Sequence, residues 1–337
     1  MLAAGATGAL VATGALALAG LLGTAGSDPE PSSPATPVAA LAARTAPAVV
    51  AVFAAGATGE RRGSGVVIAD GWVLTTCEIL GDVGTATVTG DDGTTHTATI
   101  RGLDRATDLA LLRVNGLDGL DGGLSARRAR PVEVGEPVIA VGAGDASHSW
   151  VATGVVSSVA TMATNGSTVR AGLIATDALM ETGASGGVLL DREGAAVGVL
   201  TTGADRVGVA VPISTARNVA DQLRKTGRVG HGWIGVSGGD ALDRPGGGVR
   251  VTEIGADSPG AAAGIRPDDV IIAIDATRVT GMADLMAEVR ALHPGAEVAL
   301  RIWHNGGTRT VSVTLRDMPG EVAPVSTSTT LLQAAAE

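Results

Sequence analysis

The sequence predicts a mostly β protein, an all-β barrel or sandwich followed by a smaller α+β unit, on three observations. Short β-branched runs recur between Gly-rich turns from about Val49 to Val211. That series closes on one amphipathic stretch, and a second, shorter pattern of four strands and one helix follows it. At 337 residues there is room for two domains of roughly 150 residues each. Glycine (50) and proline (14) make up about a fifth of the chain, below the roughly 25–30 % at which an aperiodic sequence reads as low-complexity. Apolar residues at 45 % against 17 % charged supply cores, but aromatics are only 1 %, so Val, Leu, Ile and Ala must build them.

Residues 1–26 form an uncharged apolar segment. Its stretch Leu2–Ala25 exceeds the about 20 apolar residues that cross a bilayer as a helix. A removed signal and a retained anchor both place the rest of the chain outside the cytoplasm, membrane-anchored or secreted. The first basic residue is Arg44, so flanking charge sets no orientation. Residues 27–43 carry Pro29, Pro31, Pro34 and Pro37 among Ser, Asp and Glu, which reads as an extended tether.

Residues 44–226 are the first domain. Strands are expected at Val49–Val52, Val66–Ala69, Trp72–Thr75, Thr95–Ile100, Leu109–Val114, Pro137–Val141, Gly154–Val159, Leu173–Thr176, Gly187–Leu190, Val197–Thr201 and Val207–Val211. Ser214 is placed to cap a closing helix whose stripe is Ala216, Val219, Ala220 and Leu223, with Gly227 stopping it. Residues 231–317 are the second domain. Its strands fall at Val249–Ile254, Val270–Ile274, Glu297–Trp303 and Arg309–Leu315, and Met282, Leu285, Met286, Val289 and Leu292 stripe one helix. Residues 318–337 read as a loose tail.

Several function classes fall away on composition. A single cysteine, Cys77, forms no internal disulfide and supplies no Cys-rich zinc site. A formal net charge of −10 with five aromatics gives neither a cationic surface nor a stacking platform for nucleic acid. Asp284 and Glu288 share a helix face but lack a third ligand, so no metal is expected, and no cofactor either.

The sharpest chemical signal is Thr182-Gly183-Ala184-Ser185-Gly186-Gly187 before an apolar strand. Glycines flanking a serine permit a tight turn that exposes the hydroxyl and aims the Gly183 and Ser185 amides at one spot, an oxyanion hole. A Gly-rich β-turn that merely contains serine has the same local pattern. Three more segments accompany the loop: Gly63-Ser64-Gly65-Val66-Val67-Ile68, Gly71-Trp72-Val73-Leu74-Thr75-Thr76 and Asp104 to Val114, with Thr176-Asp177-Ala178 leading into the serine loop. In that order and spacing, over about residues 44–225, the set resembles the HtrA (DegP-like) trypsin-fold serine proteases.

The resemblance implies two six-stranded β-barrels with the catalytic groups in the cleft between them. Ser185 matches the family's nucleophile, Gly183 and Ser185 its oxyanion amides, and Asp108 the acid that orients the base. The base position, four residues after Leu74, is Glu78 and not histidine. A serine hydroxyl needs a base to take its proton and pass it to the leaving amine, so the site is expected to be inactive. Two other bases are conceivable: Glu78 itself, which beside Asp108 sets two carboxylates against each other and favours acid conditions, and His148 in a loop near the serine. His96, His231, His293 and His304 read as surface or cap residues. Cys77 lacks a nearby histidine to ionise it and reads as packing.

In the second domain, Trp233-Ile234-Gly235-Val236, Ser258 to Ile265, Asp268-Asp269-Val270-Ile271 and the Met282–Leu292 helix resemble a PDZ domain of the HtrA type. The resemblance implies that an extended peptide C-terminus adds as a strand, its carboxylate on the backbone of Ile234, Gly235 and Val236. Leu285 and Val289 would line the pocket for an apolar last side chain. Asp268 stands where the family usually has glycine, a turn that Asp tolerates. Family trimers form through aromatic contacts near the start of the protease domain, where Phe53 stands alone.

Three readings follow. The first is an envelope-facing HtrA-like pseudoprotease that binds unfolded or C-terminal peptides. The second is a weak or acid-dependent serine endopeptidase using Ser185 with Glu78 or His148. The third is a structural partner of an active HtrA paralogue in a mixed oligomer.

Overall fold

The computed structural model describes residues 37–56, 59–69, 71–117, 131–143, 149–165, 168–202 and 208–319. The expected signal or anchor segment, most of the tether and all but the first two residues of the tail lie outside these. Among the described residues no helix is long and apolar enough to cross a membrane.

The chain enters through helix α1 (Val38–Thr45), which corrects the extended reading of residues 38–43. Ala, Leu and Arg favour a helix once Pro37 has supplied its start, and Leu41 inserts into the barrel core at 1 % exposure. The first barrel follows with β1 (Val49–Gly56), β2 (Gly59–Ala69) and β3 (Trp72–Thr76). A single helical turn, α2 (Cys77–Leu80), precedes β4 (Thr85–Thr89), β5 (Thr95–Asp104) and β6 (Leu109–Val114). The second barrel comprises β7 (Pro137–Ala143), β8 (Ser149–Asn165), β9 (Thr168–Thr176), β10 (Val188–Leu190), β11 (Ala196–Thr202) and β12 (Gly208–Pro212).

Each set closes on itself, in the orders β1-β2-β3-β6-β5-β4 and β10-β11-β12-β9-β8-β7. Closure leaves no edge strand exposed to aggregation. Neighbouring strands pair antiparallel, as in the register Thr76↔Leu109 that brings the end of β3 beside the turn before β6. Strand β4 was not expected: Thr-Ala-Thr-Val-Thr offers alternation but only two apolar residues, Ala86 and Val88, both buried.

Helix α3 (Ile213–Thr226) closes the barrels. Its expected stripe, Ala216, Val219, Ala220 and Leu223, is buried in full, and Gly227 ends it in the left-handed conformation at φ 76°. Ser214 does not cap it. Pro212 holds the N-cap position, and Ser214 lies inside the first turn.

The α+β unit that follows has β13 (Gly232–Trp233), β14 (Val236–Asp240), β15 (Val249–Ile254), a short helix α4 (Pro259–Ala262), β16 (Val270–Ile274) and β17 (Thr277–Arg278). Helix α5 (Met282–Ala291), β18 (Glu297–His304), β19 (Gly307–Thr314) and β20 (Arg316–Asp317) complete it. Its main sheet runs β14-β15-β16-β18-β19, which leaves β14 at an edge. Asp268 takes φ 69°, the left-handed turn in which Asp stands in for glycine. The core gathers Ile234, Val251, Ile271, Leu285, Val289 and Leu300. Helix α5 also packs against β8 and β9 of the second barrel.

Candidate active site

The serine loop lies between β9 and β10, and a residue of the other barrel shapes it. Gly186 takes φ 86°, and a Cβ there would stand 1.8 Å from the Ser64 carbonyl oxygen, so glycine is required twice over. Ser64, on β2, donates its amide to the Ser185 carbonyl at 2.7 Å. Its fully buried hydroxyl donates to the Gly183 carbonyl at 2.6 Å and accepts from the Ala143 amide at 3.0 Å. The Gly63-Ser64-Gly65 motif therefore clamps the loop across the cleft, a role its sequence did not reveal. Gly186 donates to Leu200 and Ala184 to Glu181, whereas the Gly183 and Ser185 amides donate to no protein acceptor among the described residues. Two amide donors of the loop are thus left without a protein acceptor among the described residues, a state compatible with the oxyanion hole expected from the sequence.

The Ser185 hydroxyl meets another hydroxyl, Thr202 Oγ1 at the end of β11, at 2.7 Å. Asp108 sits in the turn between β5 and β6 with φ 63° and is 6 % exposed. Its Oδ1 accepts the Glu78 amide at 3.1 Å. Its Oδ2 accepts from Thr201 Oγ1 at 2.6 Å and from Arg170 Nη1 at 3.0 Å. Burial pushes the Asp108 carboxyl above the ordinary aspartate range and the Glu78 charge adds to this, against the Thr201 hydrogen bond and the Arg170 charge, which lower it.

Glu78 lies in the first turn of α2, and its side chain is exposed. Its backbone touches the acid through the amide, but its carboxylate is hydrogen-bonded to neither Ser185 nor Asp108. Cys77 is buried, and its thiol donates to the Leu109 carbonyl at 3.0 Å. Burial, reinforced by the Asp108 and Asp104 charges, pushes that thiol up and away from thiolate chemistry.

Ser185, Thr202, Asp108, Glu78 and Arg170 all line one cleft of about 1310 Å³, whose walls include Leu179 and Met180. Sequence reasoning found Ser185, Gly183, Asp108 and Glu78 and missed Thr201, Thr202 and Arg170. For Arg170 the one local sign is a charge inside the strand Thr-Val-Arg-Ala-Gly-Leu-Ile-Ala-Thr.

His148 lies outside the described residues. Of the surface or cap roles expected for His231, the structure excludes the surface and shows a buried cap: it is 3 % exposed, with Nε2 at 2.8 Å from Asp104 Oδ1 and Nδ1 at 3.0 Å from the Arg290 carbonyl in the last turn of α5. His304 faces Asp269 at 3.0 Å on the second domain. Asp284 is occupied at the start of α5, accepting from the Thr280 amide at 2.8 Å and from its hydroxyl. Among the described residues no cluster of His, Cys, Asp and Glu suited to a metal ion occurs.

In the second domain Gly235 takes φ 79°, and a Cβ there would fall 2.2 Å from Ser258 Cβ. The close approach of Ser258 and the Trp233 ring requires glycine at this turn, and Ile234-Gly235-Val236 leads from it into edge strand β14. Asp240, at the far end of β14, accepts the Met282 amide at 2.7 Å and ties that strand to the start of α5. Leu285 and Val289 face the strand side of α5 but are buried at 2 % and 6 % in the core beside Ile234.

Twin six-stranded barrels with a serine loop in their cleft define a trypsin-like serine protease fold, here carrying a PDZ domain. Residues 63–199 match the family of trypsin-like peptidase domains, and residues 222–315 match the PDZ domain family. The serine endoprotease DegS of Escherichia coli strain K12 is 30 % identical over 276 residues, covering 76 % of this chain and 77 % of DegS. A probable periplasmic serine endoprotease, DegP-like, of Brucella suis is 34 % identical over 282 residues, 77 % of this chain. The chain spans about half, 53 %, of the length of that DegP-like relative. Among solved structures, the HtrA-type protease AlgW with a tripeptide superposes with a TM-score of 0.70 at 26 % identity, covering 84 % of this chain and 98 % of AlgW. The serine endoprotease from Yersinia pestis does so with 0.62 at 27 %, over 84 % and 98 %. The chain belongs to the HtrA family of serine proteases.

Proposed function

We propose that this HtrA homologue is a pseudoprotease of the cell envelope, silent at its serine site and binding unfolded or C-terminal peptides through its PDZ domain. One observation carries the reading: the side-chain partner of Ser185 is the Thr202 hydroxyl, 2.7 Å away, and no imidazole lies among the described residues of the cleft. A threonine hydroxyl is no stronger a base than the serine it faces. Loss of the histidine from a serine triad costs roughly 10⁶-fold in turnover, and the oxyanion hole and binding alone leave roughly 10³–10⁴ over water. Peptide capture is supported by the glycine turn into an open β14 edge, a surface to which an extended chain adds by backbone hydrogen bonds. AlgW, solved with a tripeptide, is a relative of the same architecture. The periplasmic designation of the DegP-like relative supports a place outside the cytoplasm.

The test is cleavage of an unfolded polypeptide from about pH 4 to about pH 8, a span that covers carboxylate and imidazole titration. The expected result is no cleavage above a Ser185→Ala blank. Digestion at ordinary enzymatic speed in neutral buffer overturns the reading. Acid-only cleavage abolished by Glu78→Gln would replace it with the acid-dependent endopeptidase. In parallel, a peptide with an apolar C-terminus should bind at least about tenfold more tightly with a free carboxylate than with an amide, the order expected for loss of a charged hydrogen-bonded group.

A further inference from the structure

Arg170 rises from β9 into the wall of the cleft and is 1 % exposed, among the most buried large side chains of the protein. Its guanidinium joins two parts of the site. Nη1 donates to Asp108 Oδ2 at 3.0 Å and also contacts Thr201 Oγ1. Nη2 donates at 2.5 Å to the carbonyl of Thr202, the residue whose hydroxyl meets Ser185. In a serine triad the acid has one task, to hold an imidazole in orientation and to stabilise the imidazolium that forms as the serine loses its proton. A buried carboxylate already neutralised by a guanidinium stabilises a second cation poorly, because the two cations repel each other where water screens little.

We propose that Arg170 is the positioning residue of a locked site, acting as the cation on Asp108 in place of an imidazole and fixing Thr202 against Ser185, so that restoring histidine at position 78 alone does not restore a working base. This rests on the silent-site reading and deepens it: the site is closed to base catalysis at Glu78 and again at Arg170. The Glu78 amide still holds Asp108 Oδ1, so an imidazole introduced there would start beside its acid and lack only the acid's free charge.

The experiment compares the full chain with Glu78→His, Arg170→Met and the double variant. Two readouts are used: labelling of Ser185 by a fluorophosphonate probe against a Ser185→Ala blank, and NMR titration of the introduced imidazole. In Glu78→His alone, the imidazole is expected to titrate no higher than the ordinary histidine value near 6.5, with slow labelling. In the double variant its pKa should rise by at least about one unit, as for a base gaining an opposite charge. Labelling should then accelerate by about 10²-fold, the lower end of what a positioned general base supplies. The proposal is overturned if Glu78→His alone labels as fast as the double variant with its imidazole already raised, or if removing Arg170 leaves the titration unmoved. Rapid labelling of the unaltered chain would instead refute the silent-site reading, while the titration would still judge Arg170 by itself. Should Arg170→Met abolish a cooperative melt, Arg170→Gln carries the same comparison.

Discussion

The serine loop and the acid corner face each other across one cleft, and they are held by different forces. The loop is fixed by glycine conformations and neutral hydrogen bonds: the Ser64 clamp, through its amide and its hydroxyl, and backbone hydrogen bonds to Leu200 and within the loop to Glu181, with no charge involved. The acid corner is fixed by charge, with Asp108, Arg170 and Thr201 drawn into one buried cluster. A scaffold of the first kind keeps its shape when the proton relay is lost, since none of its bonds depends on that relay. A cluster of the second kind must find a new countercharge. A well-formed serine loop is therefore no sign of turnover, and the proposed silence of the site turns on the acid corner.

The largest expected effect separates the two regions by charge. Arg170→Met leaves Asp108 buried without its cation, which should destabilise the fold by about 3–5 kcal/mol at neutral pH, as for other broken buried pairs. The Asp108 carboxyl is already raised above its unfolded value by burial, and loss of the guanidinium raises it further. A raised folded pKa contributes stability that is present below the unfolded value near 3.9 and lost as pH rises through the folded value. The gap between variant and unaltered chain should therefore be small near pH 4 and widen toward neutrality in urea unfolding. A gap independent of pH would mean that Arg170 acts by packing alone.

Gly186→Ala should come next, at about 3 kcal/mol with no pH dependence. The new methyl group meets the Ser64 carbonyl at 1.8 Å and the residue is held at φ 86°, where a side chain alone costs roughly 1–2 kcal/mol. Thermal melts at two pH values check both parts of that statement. A pH-dependent loss would show the loop to be coupled to the acid corner after all.

The same division explains what was legible in the sequence. Backbone-determined features leave local marks: the serine loop by its glycines, α3 by the stripe of Ala216, Val219, Ala220 and Leu223, and the barrel strands by β-branched runs between turns. Charge partnerships leave little, because their members are far apart in the chain, and the charge inside β9 marks Arg170 without naming its partner. Arg170 and Asp108 are 62 positions apart, and His231 and Asp104 are 127 apart. Arg170 is an ordinary strand residue until two closed barrels place it over Asp108, and His231 is an ordinary linker residue until α5 docks on the second barrel. Strand β4 and helix α1 were missed for a simpler reason. Threonine-rich alternation with two apolar residues is a weak strand signal, and four prolines upstream concealed a short helix anchored by Leu41.

The smallest effect tests the joint between the regions. Ser64→Ala removes a buried hydroxyl with two partners and leaves the Gly183 carbonyl and the Ala143 amide unsatisfied. That should cost about 1–3 kcal/mol. The denaturation midpoint in urea should shift while the slope stays constant, because the surface exposed on unfolding barely changes. The Ser64 amide would still donate to the Ser185 carbonyl and Gly186 to Leu200, so the loop should keep its course and lose only its tether at Gly183. If the midpoint does not move, those two backbone bonds suffice to hold the serine loop, and the first barrel contributes to the oxyanion geometry only through the close approach of Ser64 to Gly186.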